Sequence, residues 1–189
     1  EKQAWQTLES FLHHRGQGYS GGISSPNDAF TNGSRLSPYL AWGTMSLRTV
    51  FQELDSRIIK LKEEKIRRGW LRSLRAFQSR LYWRDHFIQR LEAFPELEKL
   101  PLNPAYRNIP YQEDLGFLHA WLSGTTGFPM VDACMRCLAQ TGFLNFRMRA
   151  MVVSFACFGL HLSWRLIHPP LAQRFLDYEP GIHLSQLQM

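Results

Sequence analysis

The 189-residue chain has the length of one domain, an ordinary apolar share of 44% and a high aromatic share of 13%. No run approaches the roughly 18 apolar residues of a membrane span, no secretory leader is expected, and three cysteines cannot build a disulfide framework; a membrane-embedded or disulfide-scaffold class is not expected and a cytoplasmic setting fits. The net charge of +6 favours an acidic partner such as nucleic acid or a phosphate-rich cofactor.

Apolar residues recur at helical spacing almost throughout, and alternation of period two is nearly absent, which predicts an all-α fold. Trp5, Leu8, Phe11 and Leu12 mark a first amphipathic helix. Residues 16–33, rich in Gly, Ser and Asn, read as a loop. A short helix from Ser37 to Trp42 closes at Gly43, and Ser46 caps the helix of Leu47, Val50, Phe51 and Leu54, with Asp55-Ser56 as a candidate break. A basic segment, Arg57 to Arg68, leads into a long helix from about Trp70 to Phe94, ended by Pro95.

A connection over 95–112 precedes a short helix around Leu115 to Leu122 that stops at Gly124. Pro129 opens the next helix as its first residue, and Gly142 closes it. Phe146 to Leu162 is strongly apolar and expected to be central. Ser163-Trp164 and Pro169-Pro170 are expected to break the chain before a last helix ending near Asp177. The chain begins at Glu1 without a Met and ends at Met189 in no finished element, which reads as part of a longer polypeptide.

Three places carry chemistry. In Gly33-Ser34-Arg35-Leu36-Ser37-Pro38 a glycine, two hydroxyls and an arginine precede a helix start, where backbone N–H groups receive anions; a plain helix cap is the competing account. Half of all Lys and Arg residues lie between Arg57 and Arg90, and Arg80, Trp83, Arg84 and Phe87 share one helical stripe. Arg neutralises phosphate and Trp stacks on bases, so this stripe reads as a nucleic-acid face or as a solvated helix surface. Arg147 and Arg149 enter the most apolar helix, where an unpaired charge is too costly; Asp177 and Glu179 are the acidic candidates for pairing. Cys134-x-x-Cys137 has no second pair and falls in a helical pattern where both pack, so no metal site is expected.

These residues also resemble a family. Ser34-Arg35-Leu36-Ser37-Pro38-Tyr39-Leu40-Ala41-Trp42-Gly43 resembles the flavin phosphate-binding turn of DNA photolyases and cryptochromes. Leu81-Tyr82-Trp83-Arg84-Asp85 resembles their Trp-Arg-Glu helix segment. Thr126-Gly127-Phe128-Pro129-Met130-Val131-Asp132-Ala133-Cys134-Met135-Arg136 is similar to their Thr-Gly-Tyr-Pro-x-Val-Asp-Ala-x-Met-Arg signature. The resemblance spans nearly the whole chain and implies that residues 1–189 form most of a helical FAD-binding domain, without the α/β antenna domain.

The resemblance implies a folded-over FAD, with Tyr19 and the turn Gly33, Ser34, Arg35, Leu36 and Ser37 on its phosphates. It places Arg149 and Asp177 beside the isoalloxazine ring and Glu179 at the ring's pyrimidine edge, where a second Asp is usual. Phe77, Arg80, Phe143 and Phe146 complete the cofactor positions. Trp83 matches the aromatic that stacks on a flipped pyrimidine dimer; Arg80, Arg84, Phe87, Phe146 and Arg147 belong to the DNA-contacting set. In that family the excited reduced flavin donates an electron to the dimer, which splits and returns it, a lyase reaction with no net redox change.

Several positions depart from the repair pattern. Arg80 stands where a dimer-binding carboxylate is usual, Phe146 replaces an Asn and Phe143 a Trp. His183 occupies the position opposite flavin N5, usually Asn, and brings a group able to exchange protons near neutral pH. Trp164 matches the middle Trp of the family's electron chain, but Leu187 falls where the flavin-proximal Trp would be; Tyr106 and Tyr111 are weak candidates for the outermost member. Two functions follow: a photolyase acting on pyrimidine dimers in damaged DNA, favoured, or a cryptochrome-like blue-light receptor that signals through a partner. A helical domain whose flavin site has decayed is the bland third account.

Overall fold

Helical periodicity becomes helix: the computed structural model describes residues 1–66 and 69–188, and these form α-helices and short single turns with no strand. One isolated parallel bridge joins Gln112 and Leu162. Arg67 and Arg68, the end of the expected basic segment, lie outside the described residues, as does Met189. The chain divides into two compact units, residues 1–85 and 86–189, and the boundary falls within one long helix.

In the first unit, α1 (Lys2–His13) buries Ala4, Leu8, Phe11 and Leu12, an i, i+4, i+7, i+8 stripe. After α1 come three helices of one turn, α2 (Tyr19–Gly22), α3 (Ala29–Asn32) and α4 (Ser37–Ala41). The stretch 16–33 is therefore wound rather than open loop. Its glycines serve close approach: a Cβ on Gly22 would sit 2.3 Å from the Asn32 amide nitrogen.

Helix α5 (Leu47–Glu63) starts at Ser46, whose hydroxyl accepts from the Thr49 N–H, and runs straight through Asp55-Ser56. The candidate break is absent because Val50, Leu54, Ile58 and Leu61 keep the buried stripe in phase, while Asp55 faces outward and accepts from Gln78 Nε2 at 2.8 Å. Helix α6 (Trp70–Ala93) buries Trp70, Leu74, Phe77 and Leu81 in the same core.

The second unit holds α7 (Leu115–Ser123), α8 (Pro129–Thr141), α9 (Phe146–Ser154), α10 (Trp164–Ala172) and α11 (Pro180–Leu187). Capping follows the sequence signals. Asp114 accepts from the Phe117 N–H and Asn145 from the Met148 N–H, while Gly124 and Gly142 end their helices with left-handed φ of 67° each. Trp121 is fully buried with its indole N–H on the Val152 carbonyl, amid Met135, Leu138, Val152, Ile167 and Leu184. Cys134 and Cys157 pack in this core.

Two expectations fail near the end of the chain. Pro169 and Pro170 lie inside α10, which Ser163 caps, and the final helix begins at Pro180 rather than ending near Asp177. Proline removes two ladder hydrogen bonds from α10, but Trp164, Ile167 and Leu171 on its inner face are all buried, and packing outweighs that loss.

Candidate functional site

The bend between α3 and α4 is built by a glycine that nothing larger replaces. Gly33 N–H donates to the Ala29 carbonyl at 2.9 Å, and a Cβ on Gly33 would lie 2.4 Å from that same oxygen. Arg35 follows with a left-handed φ of 59°, its Nε donating to the Phe30 carbonyl, and Leu36 anchors the turn with a side chain 1% exposed. Ser34 Oγ accepts from the Leu36 N–H at 3.4 Å. Ser37 begins α4. At five residues α4 has little macrodipole, so the field expected of a helix start is weak here. The N–H groups of Ser34 and Arg35 find no acceptor among the described residues.

Tyr19 is buried, edge-on to Phe11 and Phe77 at 5.5 and 5.6 Å. Burial raises the pKa of its phenol, with Arg80 acting against that shift, so the hydroxyl stays protonated. Phe77 is itself 3% exposed, with its ring 4.7 Å from that of Phe11. It supports Tyr19 from the core. Leu36 is likewise buried.

On α6, Arg80 is exposed and Trp83 is 48% exposed, a flat apolar surface beside a cation. Arg84 is turned inward and donates to the Leu40 carbonyl at 3.3 Å, at the end of α4. Phe87 is half-buried. The stripe is therefore exposed at Arg80 and Trp83, whereas Arg84 is tied to the fold.

In the second unit the arginine that enters α9 meets its counter-charge. Arg149 Nη2 lies 2.6 and 2.7 Å from the two oxygens of Asp177, Nε donates to the Leu144 carbonyl at 2.9 Å, and the guanidinium stacks 3.9 Å over the Phe175 ring. Phe143 flanks the same guanidinium at 5.9 Å. Phe146 and Arg147, on the first turn of α9, are exposed.

A narrow cleft beside this pair is lined by Arg149, Val153, Phe175, His183, Gln186 and Leu187. His183 is buried among the rings of His168, Tyr178 and Phe175, and its Nε2 has no hydrogen-bond partner among the described residues. Burial, then His168 and Arg149, lowers its pKa to about 3 against the pull of the His168 backbone. The imidazole is neutral at physiological pH, so the near-neutral proton exchange expected from the residue type does not describe this environment.

Glu179 uses both carboxylate oxygens to cap α11, accepting from the Gly181 N–H at 3.2 Å and the Ile182 N–H at 2.8 Å. Trp164 is 4% exposed, with Arg165 over its ring at 4.5 Å.

Two side chains that organise local backbone were not singled out in the sequence. Asp132, on the first turn of α8, accepts from the Thr126 N–H at 2.8 Å, the Thr126 hydroxyl at 2.6 Å and the Gly127 N–H at 2.9 Å. Burial opposes its ionisation, but these bonds prevail and hold its carboxyl below the usual value. The Thr-Gly pair five and six residues before an Asp was the available signal. The other is Arg15, which stands just before the Gly-rich segment without any pattern to mark it.

Residues 77–189 match the family model described as the FAD binding domain of DNA photolyase. The chain belongs to the DNA photolyase and cryptochrome family. It is 36% identical over 156 residues to a deoxyribodipyrimidine photo-lyase of Thermus thermophilus, covering 82% of this chain and 34% of that one. It is 38% identical over 154 residues to a cryptochrome DASH of Synechocystis, covering 77% and 28% of the two chains. A bacterial class III photolyase structure from Agrobacterium tumefaciens superposes with a TM-score of 0.86 at 29% identity, over 98% of this chain and 36% of that one. The chain thus spans about a third of the length of the relatives it matches. FAD is the cofactor of the domain that this photolyase-family chain matches.

The residues present fit that group. Unengaged amides at a glycine bend suit a diphosphate, and a buried imidazole nitrogen without a partner beside an ion pair suits a polar ring edge.

Proposed function

We propose that this chain is the FAD-holding part of a photolyase that repairs pyrimidine dimers in damaged DNA. The observation that supports it most is the buried Arg149–Asp177 pair beside the unpartnered Nε2 of His183. Bound FAD supplies the light-driven electron that is lent to the dimer and recovered after it splits.

The chain's own residues do the rest. The Ser34 and Arg35 amides would donate to diphosphate oxygens, and Tyr19, protonated and braced by Phe77, would add the phenol that the resemblance places on the phosphates. Asp177 fixes the Arg149 guanidinium in one orientation, so its charge would be presented to a bound ring without reorganisation. His183 contributes a neutral imidazole, and Trp164 stands buried at the relay position implied by the resemblance. Trp83 offers a stacking surface to a flipped base, and Arg80 a phosphate contact.

A second reading, a cryptochrome-type photoreceptor, is favoured by Leu187: an aliphatic side chain, 5% exposed, lines the cleft where the electron chain's first Trp would stand. Purified full-length protein separates the two. A visible flavin band with blue-light-dependent loss of dimers from irradiated DNA supports repair, a flavin band with intact dimers selects the photoreceptor, and protein that takes up no FAD overturns both.

A further inference from the structure

We infer that Arg15 is the positioning residue of the diphosphate bend, holding two carbonyls so that the Ser34 and Arg35 N–H groups face the ligand. The inference rests on the bend being the diphosphate site.

Arginine has five N–H donors in a fixed plane, and here every one is engaged. Nε donates to Ser10 Oγ at 3.0 Å, Nη1 to the Gly33 carbonyl and to the Thr31 carbonyl at 3.3 Å, and Nη2 to the Thr7 and Ser34 carbonyls at 3.2 and 3.1 Å. One side chain thus ties α1, the end of α3 and the bend together, with its guanidinium 5.9 Å from the centre of the Phe11 ring.

Peptide planarity turns those bonds into ligand geometry. Among the described residues there is no cis peptide, so each carbonyl points opposite to the N–H of the next residue. Aiming the Gly33 carbonyl at Arg15 turns the Ser34 N–H away from it, and aiming the Ser34 carbonyl at Arg15 does the same for the Arg35 N–H. Those are the two amides without an acceptor. The left-handed φ of Arg35 is unfavourable for a side-chain-bearing residue and persists because the flanking groups are held.

Charge points the same way. All the acceptors of Arg15 are neutral, so its part-buried cation has no carboxylate against it, and Arg35 adds a second positive charge nearby. An anion on the outer side of the bend supplies the missing counter-charge.

Lysine keeps the charge but has three donors and no planar fork, so Arg15→Lys separates positioning from charge. In the purified full-length protein, Arg15→Lys and Arg15→Gln should each bind FAD at least tenfold more weakly. The melting temperature of the flavin-free protein should stay within a few degrees and the visible spectrum at saturating FAD should stay unchanged, because the ring environment is untouched. Unaltered FAD affinity in both variants overturns the inference. So does a loss of affinity matched by a collapse of the flavin-free melting temperature in Arg15→Lys, which marks a structural staple. Wild-type protein that fails to take up FAD overturns the diphosphate reading itself, and the inference with it.

Discussion

Arg149 binds both oxygens of Asp177 through a single nitrogen, Nη2, leaving Nη1 without an acceptor among the described residues. An ion pair this buried, with side chains 12% and 5% exposed, is not there for net stability, since desolvation consumes most of the attraction. Its value lies in fixing where one guanidinium nitrogen points. Asp177→Asn leaves Arg149 buried and under-compensated. The expected cost is about 3 kcal/mol, the low end for breaking a buried pair, because Asn keeps one acceptor oxygen. Urea unfolding of the flavin-free protein measures it, and an unmoved midpoint would show that the pair carries no structural burden.

That pairing was legible from cost alone: an arginine entering an apolar helix demands an anion, and Asp177 and Glu179 were the late acidic candidates. Which of them answers was not legible. Glu179 is diverted to cap α11, and the one cue was Pro180 in the first helical position. The helices were readable wherever a buried stripe ran without a local breaker, as in α1 and α6. The reading failed at Asp55-Ser56 and Pro169-Pro170, where local breakers argue against a helix that packing sustains. The division within α6 leaves no mark on a continuous helical pattern. Arg15 was invisible for another reason. Its partners are backbone carbonyls, which carry no residue identity, so no spacing announces them.

Trp83 offers a test of the DNA-facing reading with little structural risk, since about half of its surface is already open to solvent. Trp83→Ala should weaken binding to dimer-containing DNA by roughly 5- to 150-fold, the range of about 1–3 kcal/mol for one stacked base. Affinity for undamaged duplex and FAD content should change little. A variant that loses flavin yet keeps its affinity for damaged DNA would remove Trp83 from that surface.

Asp132 holds the Thr126–Gly127 turn through three hydrogen bonds, so the signature around it has a structural logic apart from any ligand. Asp132→Asn keeps the size but places a donor amide against a donor N–H, and should lower the melting temperature by several degrees. Met130→Ala, on an exposed side chain two residues away, should lower it far less. Acid acts as the mutation does. The folded carboxyl titrates below its unfolded value, so its contribution is present above the ordinary carboxylate range and is lost as pH falls through the folded pKa. Equal melting temperatures for the two variants at neutral pH would contradict the clamp.

His183 makes a separate prediction about acid, in a window that extends above the carboxylate range. Its folded pKa, about 3, lies below the ordinary histidine value of 6.5, so between these values the unfolded chain binds a proton that the folded protein refuses. Stability therefore rises with pH across that window and falls as pH drops below about 6.5. His168, whose ring lies 5.1 Å away, is lowered in the same direction by burial, so the two add. Each pH unit within the window is worth up to about 1.4 kcal/mol per proton, and the whole effect a few kcal/mol. The facing groups are Arg149, His168 and Tyr178, and none of them supplies a carboxylate that would stabilise the imidazolium. Urea midpoints of the flavin-free protein between pH 5 and 6.5, above the carboxylate range, isolate the histidines. His183→Asn should flatten the slope there even if it lowers stability overall, whereas a slope as steep as that of the wild type would mean that His183 is protonated in the folded protein.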